Sequence, residues 1–354
     1  MPFQVQDQGV SACATVALWS ALHPLAGAFG IPRLSPAEIT EMSTLFPSEH
    51  RTFPSSGLIW EQIINCVKSL GLDVETIDVE NVEDDYIILT AIKAYIKAGL
   101  PLIGALLFRR FFSIDAKFED ELDKEFLSNN LKEKFRIEGF AIPLHAMVTK
   151  EKENEWVITN EVHEKHTEFL FRKEEGKLNI YDTLKMKEKK YDGRHAVVIT
   201  GYQYDSSGKV TELYVHDDQI GLYSRVKPEG SFNFWENEWN DRGYKVTLEK
   251  LLIPVYSKIR LTFPRIYSNY LRIRDEIIKS FGNDLDLELY LTTVQEYKKF
   301  LLENSPREKE EELIRPLPRF MWVIRAYINE RPRWDLIYDG TSIYPKQLTA
   351  ITFS

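Results

Sequence analysis

Apolar and polar positions alternate along this chain with two periods, helical in the first hundred residues and strand-like in much of the rest. Residues 12–22 are apolar nearly all round, which predicts a buried helix. Gly9 permits a turn ahead of it and Ser11 is expected as its N-cap, setting Cys13 in the first helical turn. Ser35-Pro36-Ala37-Glu38 has the signature of a second helix start, with Ser as cap, Pro at the first position and Glu at the third. Residues 58–67 repeat apolar positions with helical period and Gly71 ends the run. Cys66 falls on that apolar stripe and is expected in the core. Residues 91–98 predict a helix stopped by Gly99, and 101–108 a strand.

Residues 109–192 carry a less regular pattern: a charged helical stretch over 119–134 and strand-like pieces that include 168–172 and 178–182. Beyond them, 195–203 and 212–217 are β-like runs around Tyr204-Asp205-Ser206-Ser207-Gly208, which reads as a hairpin turn. After about residue 256 the character changes. Helices are expected over 267–281 and 294–303, and strands over 285–291, 320–328 and 334–338. The charged run 307–312 is expected as a solvated surface segment.

Composition narrows the function classes. The chain has 354 residues, 44% of them hydrophobic, enough for a substantial core and for more than one domain. Its formal net charge is −9, so a whole-chain basic field for gripping nucleic acid is absent. Two cysteines, Cys13 and Cys66, make no disulfide framework. The start Met-Pro-Phe-Gln-Val-Gln has no positive region followed by an apolar stretch, so no signal peptide is expected. The longest apolar run, near 100–108, is short of the about 20 residues that a membrane helix needs. A cytoplasmic protein with no membrane and no nucleic-acid partner is the expectation.

The candidate chemistry starts at Cys13. A thiolate is the nucleophilic form of cysteine, and a helix N-terminus beside a histidine stabilises it. The unpaired first N–H groups of such a helix can also bind the oxyanion formed when a carbonyl is attacked. His195 opens Arg-His-Ala-Val-Val-Ile-Thr-Gly-Tyr, at the mouth of a strongly β-forming run. Should 195–203 pair antiparallel with 212–217, Asp217 or Asp218 lands beside His195 and can orient its ring.

These residues, in this order, resemble the papain-like cysteine peptidases. Gln6 through Ala14 is similar to the family's Gln-Gly-…-Cys-Trp-Ala segment, in which a Gln before the Cys helps form the oxyanion hole. Leu34-Ser35-Pro36-Ala37-Glu38-Ile39 resembles a Leu-Ser-…-Glu-Leu helix start, and Ser56-Gly57-Leu58 a Gly-Gly-Leu helix. Ile92-Lys93-Ala94 through Pro101-Leu102-Ile103 looks like a helix–Gly-Pro–strand unit, and His195-Ala196-Val197-Val198 with Gly201-Tyr202 the catalytic His-Ala-Val strand. The resemblance spans about 6–218, interrupted by 109–192. The departures are specific. Gln8 stands one residue closer to Cys13 than in the family's pattern and Gln6 one farther. No Trp follows Cys13. An Asp replaces the family's Asn-Ser-Trp, as in the bacteriocin-leader-processing peptidases. No propeptide is expected ahead of Cys13.

Other clusters compete. His145, with Asn160 fifteen positions on, mimics a His-then-Asn pair, but the highly charged stretch 150–155 follows and no Gly-Tyr does. His163 and His166 invite a metal reading, yet they lack the i, i+4 zinc-protease spacing and would face opposite ways on a strand. The aromatic run 232–239 can form a cleft wall or, more simply, pack in a core.

The resemblance implies an α+β fold whose papain-like core joins a helical half (1–108, with Cys13) to an antiparallel β half (193–255, with His195). A large insertion (109–192) and a C-terminal α/β appendage (256–354) complete it. The implied activity is cleavage of peptide or isopeptide bonds through an acyl-enzyme, using Cys13, His195, Asp217 and Gln8, with no cofactor and no metal. The partner implied is a protein or peptide substrate, with a regulatory protein possible. A transglutaminase-like acyltransferase or amidase, or an inactive papain-like binding module in a larger assembly, are the alternatives.

Overall fold

The computed structural model describes residues 2–5, 12–45, 57–79, 85–110, 112–115, 136–137, 140–141, 147–152, 155–162, 165–174, 177–182, 193–205, 208, 210–229, 234–242, 244–281, 285–304 and 309–353. The fold is mixed α+β with antiparallel sheets. It divides into two compact units, Met1–Leu106 with His195–Asn233 and Leu248–Ser354, and Leu107–Arg194 with Phe234–Thr247.

The first unit opens with α1 (Cys13–Phe29). Ala12, not Ser11, is the N-cap, and no side chain caps the helix. The helix also runs seven residues past the expected end at Leu22. Pro24 lacks the N–H that would bond the Ser20 carbonyl. Burial of Leu25 and Ala26 carries the helix through it, and Gly30 closes it at φ 73. The capping box at α2 (Pro36–Thr44) forms as expected: the Glu38 N–H donates to Ser35 Oγ, and the Glu38 carboxylate accepts from the Ser35 N–H at 2.7 Å. Next come α3 (Trp60–Ser69), β1 (Leu72–Asp78), α4 (Asp85–Lys97) and β2 (Leu102–Arg110). Cys66 on α3 is fully buried.

The second unit holds β3 (Phe112–Asp115), β4 (Arg136–Ile137), β5 (Phe140–Ala141), β6 (Met147–Lys152), β7 (Glu155–Val162), β8 (Lys165–Glu174) and β9 (Lys177–Asp182). One sheet runs β3-β9-β8-β7-β6, and β4 pairs with β5. The charged stretch 119–134 lies outside the described residues.

The chain returns to the first unit with β10 (Gly193–Tyr204), β11 (Val210–Asp217) and β12 (Gly221–Glu229), each antiparallel to the next. β13 (Phe234–Glu236), α5 (Glu238–Asp241) and the start of β14 (Tyr244–Tyr256) belong to the second unit, and the rest of β14 pairs with β1 from Leu72↔Tyr256 to Asp78↔Lys250. Trp235 and Trp239 are buried, and Trp239 packs on Phe108 and Tyr244 at 4.7 and 6.0 Å. The aromatic run is therefore core packing where it is described.

Helix α6 (Phe263–Phe281), β15 (Asp286–Thr293), α7 (Val294–Glu303), α8 (Lys309–Ile314), β16 (Phe320–Ile328), β17 (Arg331–Asp339) and β18 (Gln347–Thr352) follow, and the strands form a meander in chain order. In the charged run 307–312, Glu310 and Glu311 are exposed as expected, and among the described residues Glu312 departs from the solvated reading. Glu312 on α8 is 4% exposed and takes a bidentate contact from Arg315, three residues on. This C-terminal sheet is tied to the rest of its unit. Trp322 Nε1 donates to the Leu261 carbonyl at 2.8 Å. Buried Glu75 on β1 accepts from the Tyr95 hydroxyl and from the first N–H of α6, at Phe263. Burial pushes the Glu75 carboxyl up to about 7, against those hydrogen bonds. Among the described residues no helix is long and apolar enough to cross a membrane.

Candidate active site

Local sequence explains how the site assembles. The period-2 runs around the turn at 205–208 fold as a hairpin, β10–β11, with Val198 opposite His216 and Gln203 opposite Glu212. That register sets the start of β10 beside the end of β11. A turn follows in which the Ile220 N–H reaches the Asp217 carbonyl at 3.2 Å. Helix α1 brings Cys13, Val16, Ala17 and Ser20 along one face, at i, i+3, i+4 and i+7. With Ala196, Val198, His216, Asp218 and Phe3 they line a small cavity.

His195 is 4% exposed and Asp217 2%. His195 Nε2 lies 2.9 Å from Asp217 Oδ1 and 3.4 Å from Asp218 Oδ1. Asp217 Oδ1 also accepts the Gln219 N–H at 2.9 Å, which fixes the carboxylate independently of the ring. The Cys13 side chain is hydrogen-bonded to His195. Cys13 itself is half-buried.

The electrostatics follow from burial and neighbours. Burial pushes the His195 pKa down, but hydrogen bonds to Asp217 and Cys13 and the charges of both outweigh it and raise it to about 10. Burial pushes Asp218 up, the His195 charge pulls it down and the Asp217 charge pushes it up, with the balance at about 6. His216, expected in no role, is 4% exposed and its pKa is lowered, first by burial. Its Nδ1 is 3.5 Å from Ser20 Oγ, which donates to the Pro2 carbonyl at 2.8 Å. Its ring meets Tyr223 edge-on at 4.7 Å. The one sequence signal for it was its place beside Asp217 at the end of a β-forming run, whose last three residues are buried in the fold.

Four expected residues thus lie together: Cys13, His195, Asp217 and Asp218. Gln6, Gln8, His145 and His163 lie outside the described residues. His195, Asp217 and Asp218 also offer three ligand atoms within 4.8 Å of one another, a set able to hold a metal ion. No protein-family model matches the chain, and neither a curated protein nor a solved structure matches it.

Proposed function

We propose that this protein is a cysteine peptidase with a papain-like core, cleaving peptide or isopeptide bonds at Cys13. The observation that carries the reading is a buried histidine held between a carboxylate and a thiol that begins a helix. The hydrogen bonds and charges that raise the His195 pKa come from Asp217 and Cys13, the orienting group and the nucleophile that this chemistry needs.

The Cys13 thiolate attacks the substrate carbonyl carbon. A C–S bond forms and the carbonyl π electrons move to oxygen. The free N–H groups of the first turn of α1 face a developing oxyanion, with Gln8 assigned to the same task by the family resemblance. As the C–N bond breaks, His195 gives its proton to the leaving amine, while Asp217 holds the ring. Water then attacks the thioester, His195 accepts its proton, and the acid leaves with the thiolate restored. A cytoplasmic location and a regulatory partner belong to the same proposal.

The metal-ligand set favours a second reading, a metal-dependent hydrolase on His195, Asp217 and Asp218. One experiment separates the two. The full chain is treated with a peptidyl vinyl sulfone probe at about pH 6.5, with and without EDTA. Labelling of the wild-type chain that is lost in Cys13→Ala and His195→Ala and indifferent to EDTA is the expected result. Absence of labelling at Cys13, or labelling that survives His195→Ala, overturns the peptidase reading.

A further inference from the structure

The first unit contains a second cavity, of about 830 Å³, that shares no lining residue with the Cys13 cavity. Its walls come from α4, the β10–β11 hairpin, α6, β15 and the β16–β17 turn. Its size lies in the range of ligand sites and far exceeds one side chain.

Five tyrosines line it: Tyr86, Tyr202, Tyr204, Tyr270 and Tyr327. Tyr202 and Tyr204 stand two apart on β10, so they share a face, and their ring centroids are 6.1 Å apart. The hydroxyls of Tyr86 and Tyr270 meet at 3.2 Å, and Tyr327 donates to Glu288 at 2.9 Å. With those hydroxyls engaged inside the protein, ring surface is what these three offer a ligand.

The charge of the lining has a sign. Asp205, Asp286, Glu288 and Glu330 face Lys93 and Lys97, four carboxylates against two lysines. Lys97 is neutralised by Glu288 at 2.6 Å. Lys93 donates to the Gly208 carbonyl at 3.3 Å and stands 5.8 Å from the Tyr204 ring centroid, so a cation already sits over one of these rings. Aromatic rings with surplus carboxylates attract ammonium and, through planar stacking, guanidinium groups. An anionic ligand gains nothing here.

We propose that this cavity binds a basic, extended peptide segment of another protein, with arginine side chains entering between the tyrosine rings and the carboxylates. The rings between successive cations give the rest of the peptide apolar surface to cover, which a thin polyamine would leave bare. The inference does not rest on the chemistry assigned to Cys13.

The test measures fluorescence anisotropy of a labelled hexapeptide alternating arginine and alanine, added to the full chain carrying Cys13→Ala so that no turnover intrudes. A matched peptide has citrulline, uncharged and of the same shape, at each arginine. The expected result is saturable binding of the arginine peptide and at least tenfold weaker binding of the citrulline peptide. Tyr204→Ala and Glu330→Lys, both at exposed positions, each weaken the arginine peptide at least fivefold, with unchanged melting temperature confirming that they fold. Equal affinity for the two peptides, unchanged affinity in both variants, or binding of spermidine without binding of either peptide overturns the proposal. Loss of probe labelling at Cys13 in the preceding experiment leaves this measurement unaffected, so the two proposals fail separately.

Discussion

Two clusters of buried charge sit in the same unit and are built in opposite ways. In the C-terminal sheet, Arg325 grips Asp335 with two parallel hydrogen bonds of 2.7 Å, and Tyr297 donates to the same carboxylate at 2.6 Å. The guanidinium lies 3.5 Å from the Phe300 ring centroid. Arg325 is 3% exposed and Asp335 fully buried. Every group there has a partner that suits its charge, which raises the Arg325 pKa despite burial. In the Cys13 cluster, Asp217 is held twice, whereas buried Asp218 stands 3.4 Å from His195 Nε2 and neither of its oxygens makes a hydrogen bond among the described residues. A closed network holds one protonation state and adds rigidity. An incompletely paired one leaves protons able to move, which acid–base chemistry needs.

The comparison can be broken at either end. The largest effect is expected at the proposed nucleophile and its base: Cys13→Ala and His195→Ala each cut peptidase turnover by at least about a thousandfold, Cys13→Ala with melting temperature little changed and His195→Ala with a lowered one, because it strands the buried Asp217 carboxylate. Turnover surviving in either variant would mean that the less closed cluster is merely structural. Next, Asp217→Asn lowers turnover by about 10²–10⁴ with a smaller change in KM, because the ring loses its orienting carboxylate. Asp218→Asn leaves most activity, and the reverse ranking would exchange the roles of the two acids.

Arg325→Ala strands a buried carboxylate and is expected to cost about 3–5 kcal/mol in urea unfolding. Replacing the pair together, Arg325→Met with Asp335→Leu, restores most of that, and a double variant as unstable as the single one would contradict the closed-network account.

The smallest effect concerns Asp218 and pH. Its carboxyl ionises at about 6 in the folded chain against an ordinary 3.8. Folding therefore disfavours its charged form, a penalty present above about pH 6 and relieved as pH falls toward about 4, where folded and unfolded chains both hold the proton. Asp218→Asn is expected to stabilise the protein at pH 7 by on the order of 1 kcal/mol and to give no gain near pH 4. His195 runs the other way. Its raised pKa contributes stability that is complete below about pH 6.5 and is lost as pH rises through about 10. Urea titrations across pH 4–10 measure both, and a gain independent of pH would remove the titration of Asp218 from the account.

Elements whose signals are local were legible in the chain. The capping box at Ser35 and Glu38, the helix over 294–303 and the strand over 320–328 stand where the pattern sets them. Elements without a local signal were not. β12 has no clean alternation of its own and exists because β11 supplies the ladder. Helix α1 passes Pro24 because the core accepts Leu25, and Glu312 is buried because Arg315 meets it.

The same division runs through the site. Sequence by itself pointed to the hairpin that joins His195 to the two aspartates, because its strands are neighbours in the chain with a turn between them, while the register shifts at 199–201 and 203–204 were not legible in either run. Which aspartate holds the ring, that His216 and Ser20 join the cluster across 196 residues of chain, and that a cysteine near the start of the sequence meets a histidine from its middle were decided by tertiary structure. Such contacts depend on how a helix face lies against a sheet, and no residue's immediate neighbours encode that.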